Sequence, residues 1–218
     1  MADKTIIFDF DGTIANTFST VVKIVNQLAL EFNYPLVDES EVFRLSNLSS
    51  KDIIKQSPVA LHKIPFLMKK IKKELNSQIA FLCAFEGIKE TLERLHQREY
   101  TLGIITSNWE ESVREFLCRN GLEDYFQFVY SSNNLFGKHR TINRVIRHCG
   151  LSLDNTFYVG DETRDIESAR KSKIQVIAVT WGFNSAEILQ HYQPDFLINC
   201  PQDLLMAIDG EVIQTAKN

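Results

Sequence analysis

The chain has 218 residues, 44% of them hydrophobic and 24% charged, with 24 basic against 28 acidic side chains for a formal net charge of −4. That is the composition of a globular protein of one or two domains, and the charge gives no support to nucleic acid or an anionic membrane as the principal partner. No apolar run is long enough to span a bilayer, and the opening "MADKTII" lacks a basic n-region and an apolar h-region, so no membrane contact and a cytoplasmic location are expected.

In chain order, the apolar run Ile6-Ile7-Phe8 predicts a first buried strand. The segment that follows carries helical patterns instead. Phe18, Val21, Val22, Val25, Leu28 and Phe32 keep one face apolar, and Ile64, Leu67, Met68, Ile71 and Leu75 do the same further on. Phe66, Met68 and Phe81 are read as core of this helical segment, and Lys69, Lys70, Lys72 and Lys73 as its solvated face. From residue 84 onward short apolar runs alternate with amphipathic segments. The runs are "TLGIIT" (101–106), "FQFVY" (126–130), "TFYVG" (156–160), "IQVIAVT" (174–180) and "DFLI" (195–198). Helical spacing lies between them, as in Ile88, Leu92 and Leu95, or in Val113, Phe116 and Leu117 with Gly121 closing the helix. Strand alternating with helix implies right-handed crossovers, hence an α/β, Rossmann-like, mostly parallel sheet with helices on both faces. The expected organisation is an α/β core of residues 1–15 and 84–218, with a small all-helical cap of residues 16–83 inserted after the first strand. Cys83, Cys118, Cys149 and Cys200 are far apart and form no CxxC pair, which suits a reduced compartment.

In sheets of this kind ligands bind beyond the carboxyl ends of the strands, and four stretches fall there. In Asp9-Phe10-Asp11-Gly12-Thr13, alternate residues share a strand face, so both carboxylates can address one point before Gly12 turns the chain away. Two close carboxylates are tolerated where a hard cation such as Mg²⁺ sits between them and a phosphate. In "LGIITSN" a strand delivers Thr106, Ser107 and Asn108 to a loop, where short hydroxyl and amide groups suit a phosphate oxygen or cap the next helix. Lys138 follows the polar Asn133-Asn134 loop and Gly137, with His139 and Arg140 as neighbouring sources of the same charge. In "YVGDETRDIESAR", Asp161 and Asp165 stand four residues apart at a helix start with Glu162 beside them. Capping by Asp161 or Thr163 accounts for one acid there and leaves the cluster unexplained.

In this order and placement the four stretches resemble the haloacid dehalogenase superfamily of phosphohydrolases. The likeness covers about residues 4–14 and 84–200, and the helical segment falls where that family has its C1 cap. The resemblance implies Asp9 as nucleophile, and Asp11 as general acid and then base. It also implies Thr106 and Lys138 as phosphate-binding catalytic residues, joined by Gly12, Thr13, Ser107 and Asn108. Mg²⁺ would be held by Asp9, the Asp11 main-chain carbonyl and Asp161, with Glu162 and Asp165 as ligands or behind them. The later stretch "VTWGFNSAEILQHYQPDFLINCPQDLL" resembles phosphoglycolate phosphatase-like members, which implies a small phosphorylated metabolite as substrate and a monomer or homodimer. The chain departs from the family where Asn108 stands near a common lysine and where "HRTIN" follows Lys138. Phosphomutases of the same branch share all four motifs. A phosphoryl-accepting module without turnover, or a binding role, are the readings outside hydrolysis.

Overall fold

A computed structural model describes residues 4–132 and 137–210, so the Asn133-Asn134 loop lies outside the described residues. The apolar runs form six strands: β1 (Thr5–Phe8), β2 (Thr101–Thr106), β3 (Phe128–Ser131), β4 (Thr156–Gly160), β5 (Gln175–Val179) and β6 (Phe196–Ile198). They make one sheet in the order β3-β2-β1-β4-β5-β6, every neighbouring pair parallel. The strands alternate between two apolar layers. Ile6, Phe8, Ile104, Val159 and Ile177 belong to one, and Ile7, Ile105, Tyr158 and Ala178 to the other. Each fully enclosed aliphatic side chain contributes roughly 1.5–3 kcal/mol of transfer free energy, so burial on both faces fixes the register.

Helices α5 (Ile88–Gln97), α6 (Glu110–Arg119) and α10 (Leu204–Asp209) cover the first layer, and α7 (Lys138–Cys149), α8 (Thr163–Ser172) and α9 (Ala186–His191) the second. The order reverses at β1, which pairs with β2 on one side and β4 on the other. This switch point brings the chain after Phe8, Thr106 and Gly160 to one edge of the sheet. Helix α6 ends before Gly121, which takes φ +63° as the expected closing glycine. Strand β3 starts two residues later than its apolar run. Phe126 is drawn instead into edge-on contact with Phe8, at 6.1 Å between ring centres.

Four helices stand between β1 and α5: α1 (Phe18–Phe32), α2 (Glu39–Ser46), α3 (Ser50–Gln56) and α4 (Ile64–Gln78). The chain leaves and returns through a paired passage. Asn16 N–H donates to Cys83 O and Phe85 N–H to Ile14 O, both at 3.0 Å, around an antiparallel bridge between Ala15 and Ala84. Helices α2 and α3 are too short for a periodic signal. Their starts are marked by Asp38, which accepts from Glu41 N–H at 2.9 Å, and by Ser49, which accepts from Asp52 N–H at 3.2 Å. The expectation that Phe66 and Phe81 form the core of this segment is corrected, because they are 66% and 72% exposed. Phe66 falls off the Leu67, Ile71 and Leu75 stripe, and the Phe81 ring is covered by the Arg119 guanidinium at 4.8 Å. Met68 is partly exposed too, while Lys69, Lys70 and Lys73 lie in solvent as expected and Lys72, against that expectation, is half-buried. Among the described residues no helix is long and apolar enough to cross a membrane.

Candidate active site

Asp9 emerges from β1 with its own N–H tied to Val159 O at 2.8 Å, so the first residue past the strand is still held by the sheet. Its Oδ1 accepts from Phe10 N–H at 2.7 Å, and its Oδ2 meets Lys138 Nζ at 2.8 Å. The same ammonium reaches Asp165 Oδ1 at 2.6 Å and lies 5.4 Å from the centre of the Tyr158 ring. Lys138 opens α7 and Asp165 lies in the first turn of α8, so the pair joins two helix starts. Asp161, just past β4, accepts from the Thr13 hydroxyl at 2.9 Å and from Phe183 N–H at 2.7 Å. Gly12, at φ +73°, and Gly182 press against this carboxylate. A Cβ on either would stand 2.2 Å from Asp161 Oδ2, so neither tolerates a side chain.

Thr106 ends β2 fully buried, and its Oγ1 accepts from Asn108 N–H at 3.1 Å, which leaves the hydroxyl proton free to donate elsewhere. Asn108 Nδ2 donates to Asp11 Oδ2 at 2.6 Å. Ser107 is half-buried in the same loop, and neither it nor Asn108 caps α6, whose cap position is Trp109. Helix α8 is capped by Glu162 and Asp165 reciprocally, and not by Asp161 or Thr163. Glu162 also forms an ion pair with Arg164, so its carboxylate is engaged. The N–H groups of Gly12 and Thr13 close the turn onto Ala15 O (3.0 Å) and Phe10 O (3.3 Å), and the Thr13 hydroxyl holds Asp161, so these residues shape the loop beside the acids.

Asp9, Asp161 and Asp165 each offer an oxygen within 4.8 Å of the others, all three buried. Burial, with Asp9 adding like charge, pushes the Asp11 carboxyl up to about 7. Burial also raises Asp165 to about 6 against the pull of Lys138, and raises Asp161 well above the carboxylate range with Glu162 and Asp165 adding to it. For Lys138 burial works the other way, but Asp165 and Asp9 outweigh it and hold the ammonium charged. Acids thus crowd a site whose facing cations are Lys138 and Arg164. A hard divalent cation fits such a donor set, since it would remove the like-charge repulsion that raises Asp161.

The four sequence motifs therefore meet at one edge of the sheet. Arg164, Asn184 and Asn76 also take part there, although none was singled out. Asn184 receives Thr163 N–H at 2.9 Å and donates to Ser46 O and Leu48 O at 3.1 Å each, so it joins the start of α8 to the α2–α3 corner. Its position before Ser185, the cap of α9, was the available signal. Asn76 sits among lysines on a helix and carries no signal in the chain. Trp181 donates Nε1–H to Thr13 O at 3.1 Å and so helps hold the turn beneath Asp161.

A buried acid cluster with a lysine thus stands at the switch point of a parallel sheet, where an α/β enzyme binds its ligand. Residues 6–179 match the haloacid dehalogenase-like hydrolase family, and the chain belongs to that family. It is 35% identical over 205 residues to a phosphoglycolate phosphatase of Synechococcus elongatus, covering 94% of this chain and 97% of that one. It is also 23% identical over 214 residues to the pyrophosphatase PpaX of Oceanobacillus iheyensis, covering 95% and 98%. Among solved structures, a predicted phosphatase from Clostridium acetobutylicum superposes with a TM-score of 0.81 at 20% identity, covering 96% of this chain and all of that one, a likeness of fold.

Proposed function

We propose that the protein is a Mg²⁺-dependent phosphatase that hydrolyses a small phosphomonoester, phosphoglycolate among the candidates, through an aspartyl-phosphate on Asp9. The observation that carries this reading is the meeting of Asp9, Asp161 and Asp165 in one buried cluster, with Lys138 between Asp9 and Asp165. Asp9 attacks phosphorus, and a P–O bond to its carboxylate forms as the ester P–O bond breaks. Asp11, kept protonated near neutrality by burial, gives its proton to the departing oxygen. Asp11 then takes a proton from a water molecule that attacks the same phosphorus, phosphate departs, and Asp9 is restored. The free hydroxyl proton of Thr106 is available to a phosphoryl oxygen, and Lys138 offsets the charge gathered there. Mg²⁺ would be held by Asp9, Asp161 and the Asp11 main chain, with Asp165 behind them, and would supply positive charge against carboxylates and phosphate. Residues 16–83 act as a cap, with the Ala15–Ala84 pair as its boundary, and the protein works in the cytoplasm on a soluble metabolite.

The test is phosphate release from p-nitrophenyl phosphate, phosphoglycolate, pyrophosphate and a small panel of sugar phosphates, with Mg²⁺ and with EDTA. Metal-dependent turnover is expected. A phosphoryl group retained on the product moves the reading to a mutase. A phosphoprotein that persists without turnover moves it to an acceptor module.

A further inference from the structure

A line of two buried amides joins α4 of the inserted helices to Asp11. Asn108 is pinned at four points. Its N–H donates to Thr106 Oγ1 at 3.1 Å, its carbonyl accepts from Ser131 Oγ at 2.7 Å, its Oδ1 accepts from Asn76 Nδ2 at 3.1 Å, and its Nδ2 donates to Asp11 Oδ2 at 2.6 Å. Asn76 is pinned by two main-chain groups. Its Nδ2 also donates to Lys72 O at 2.7 Å, and its Oδ1 accepts from Trp109 N–H at 2.8 Å.

An asparagine amide fits its space almost equally well when turned end for end, so its partners decide which end faces where. Here the polarity has a fixed origin. Lys72 O can only accept and Trp109 N–H can only donate, so Asn76 has one satisfied orientation. Given that orientation, Asn108 must turn Oδ1 to Asn76 and Nδ2 to Asp11. Asp11 Oδ2 is thereby occupied. Its Oδ1, buried and making no hydrogen bond of good geometry among the described residues, with only the equally unpartnered Thr17 hydroxyl close to the carboxyl, is the oxygen left to carry a transferable proton.

We propose that Asn76, which lies outside all four motifs, is a positioning residue: it sets the amide polarity of Asn108 and so leaves Asp11 Oδ1 to exchange the proton with the reacting oxygen. The inference rests on the acid–base role proposed for Asp11. A plain tether between α4 and the start of α6 is the competing account, and two variants separate them. Asn76→Asp keeps an acceptor for Trp109 N–H but replaces the donor with an acceptor, so Asn108 turns its Nδ2 to the new carboxylate and its Oδ1 to Asp11. The Asp11 proton then settles on Oδ2, against Asn108. Asn76→Ala removes the tether and leaves Asn108 free to choose.

The experiment measures the rate of leaving-group release in a single turnover, before the water step that also uses Asp11, together with KM, for both variants on p-nitrophenyl phosphate, whose leaving group departs without protonation, and on the alkyl phosphate of the panel that the wild type turns over best. For Asn76→Asp, that rate on the alkyl ester is expected to fall roughly 10- to 100-fold, part of the contribution of a positioned proton donor. On p-nitrophenyl phosphate it should fall less than about threefold, with KM within about twofold on both, and Asn76→Ala should lie between this variant and the wild type. Equal losses on the two esters, or a larger loss in Asn76→Ala than in Asn76→Asp, overturn the inference. The side-chain amide resonances of Asn108 give a readout apart from turnover. They should shift in Asn76→Asp, and unchanged resonances overturn the inference even in an active enzyme. A wild type inert on every ester brings down the phosphatase reading and this role with it, whereas an active wild type with either failure above brings down only the role of Asn76.

Discussion

Ile6, Ile7 and Ile104 in the sheet are fully enclosed, whereas Leu30, Phe43 and Phe66 in the inserted helices stand largely in solvent. Helices α2 and α3 bury no residue completely, and a cavity of about 310 Å³ opens among α1, α4 and the segment between them, walled by Val21, Val25, Leu67 and Ile71. The sheet has no such freedom, because a parallel sheet covered on both faces loses dispersion contacts with any shift of register. Asp9, Lys138 and the other acids of the cluster all stand on that rigid part, and the loosely packed helices stand above them. Regions with few enclosed apolar contacts open at low free energy. The division suits an enzyme that keeps its chemistry fixed while the surface that admits substrate adapts.

The largest expected effect lies wholly on the rigid side. Asp9→Asn should lower phosphate release on the order of 10³-fold or more while the thermal midpoint holds or rises, because one member of a crowded acid cluster has lost its charge. Activity above a few per cent of wild type would remove Asp9 as nucleophile. Lys138→Met should be the most damaging single change to stability, about 3–5 kcal/mol in EDTA, since it leaves Asp9 and Asp165 buried together without their shared cation. Denaturant titration measures it, and a loss under about 1 kcal/mol would mean that solvent reaches the pair.

The packing contrast itself is probed by a pair of truncations. Ile104→Ala should lose about 2–5 kcal/mol, while Leu67→Ala on the cavity wall should lose about 1 kcal/mol, because the space it vacates adjoins space already open. Equal losses would erase the distinction between the two regions.

The smallest effect is a slope. Asp11 and Asp165 bind protons more tightly folded than unfolded, with carboxyls raised from 3.8 to about 7 and about 6. Between the unfolded and folded values the native state holds the extra proton, so these groups favour folding at low pH and the benefit is lost as pH rises through about 6 to 7. The loss is at most about 1.4 kcal/mol per pH unit for each proton. His139, held below its usual range by burial, works in the opposite direction near pH 6 but is common to both conditions. In EDTA the thermal midpoint should fall from pH 5 to pH 8 more steeply than with Mg²⁺ present. Superimposable curves would argue against a cation in the acid cluster.

Much of the core was legible in the chain. The β-branched runs at 101–106, 156–160 and 174–180 lie within a residue of β2, β4 and β5, because a strand buried on both faces must be apolar along its whole length. The chemistry was legible for a related reason: acids at the ends of apolar strands conflict with local preference, and such conflict marks a site. The inserted helices were half legible. Helices α1 and α4, each of 15 residues, repeat their apolar stripe often enough to be seen, whereas α2 and α3 do not.

What only the tertiary structure decided was which partner each polar group meets. Gly12 and Thr13 belong to the motif by sequence, yet their hydrogen bonds close a turn and hold Asp161. Asn76 belongs to no motif, yet it reaches Asn108 from 32 residues away. Apolar patterning is a local property, set by the period of each element, and the chain carries it openly. The polarity of a buried amide depends on groups that only the folded sheet and helices bring together, so no stretch of sequence contains it.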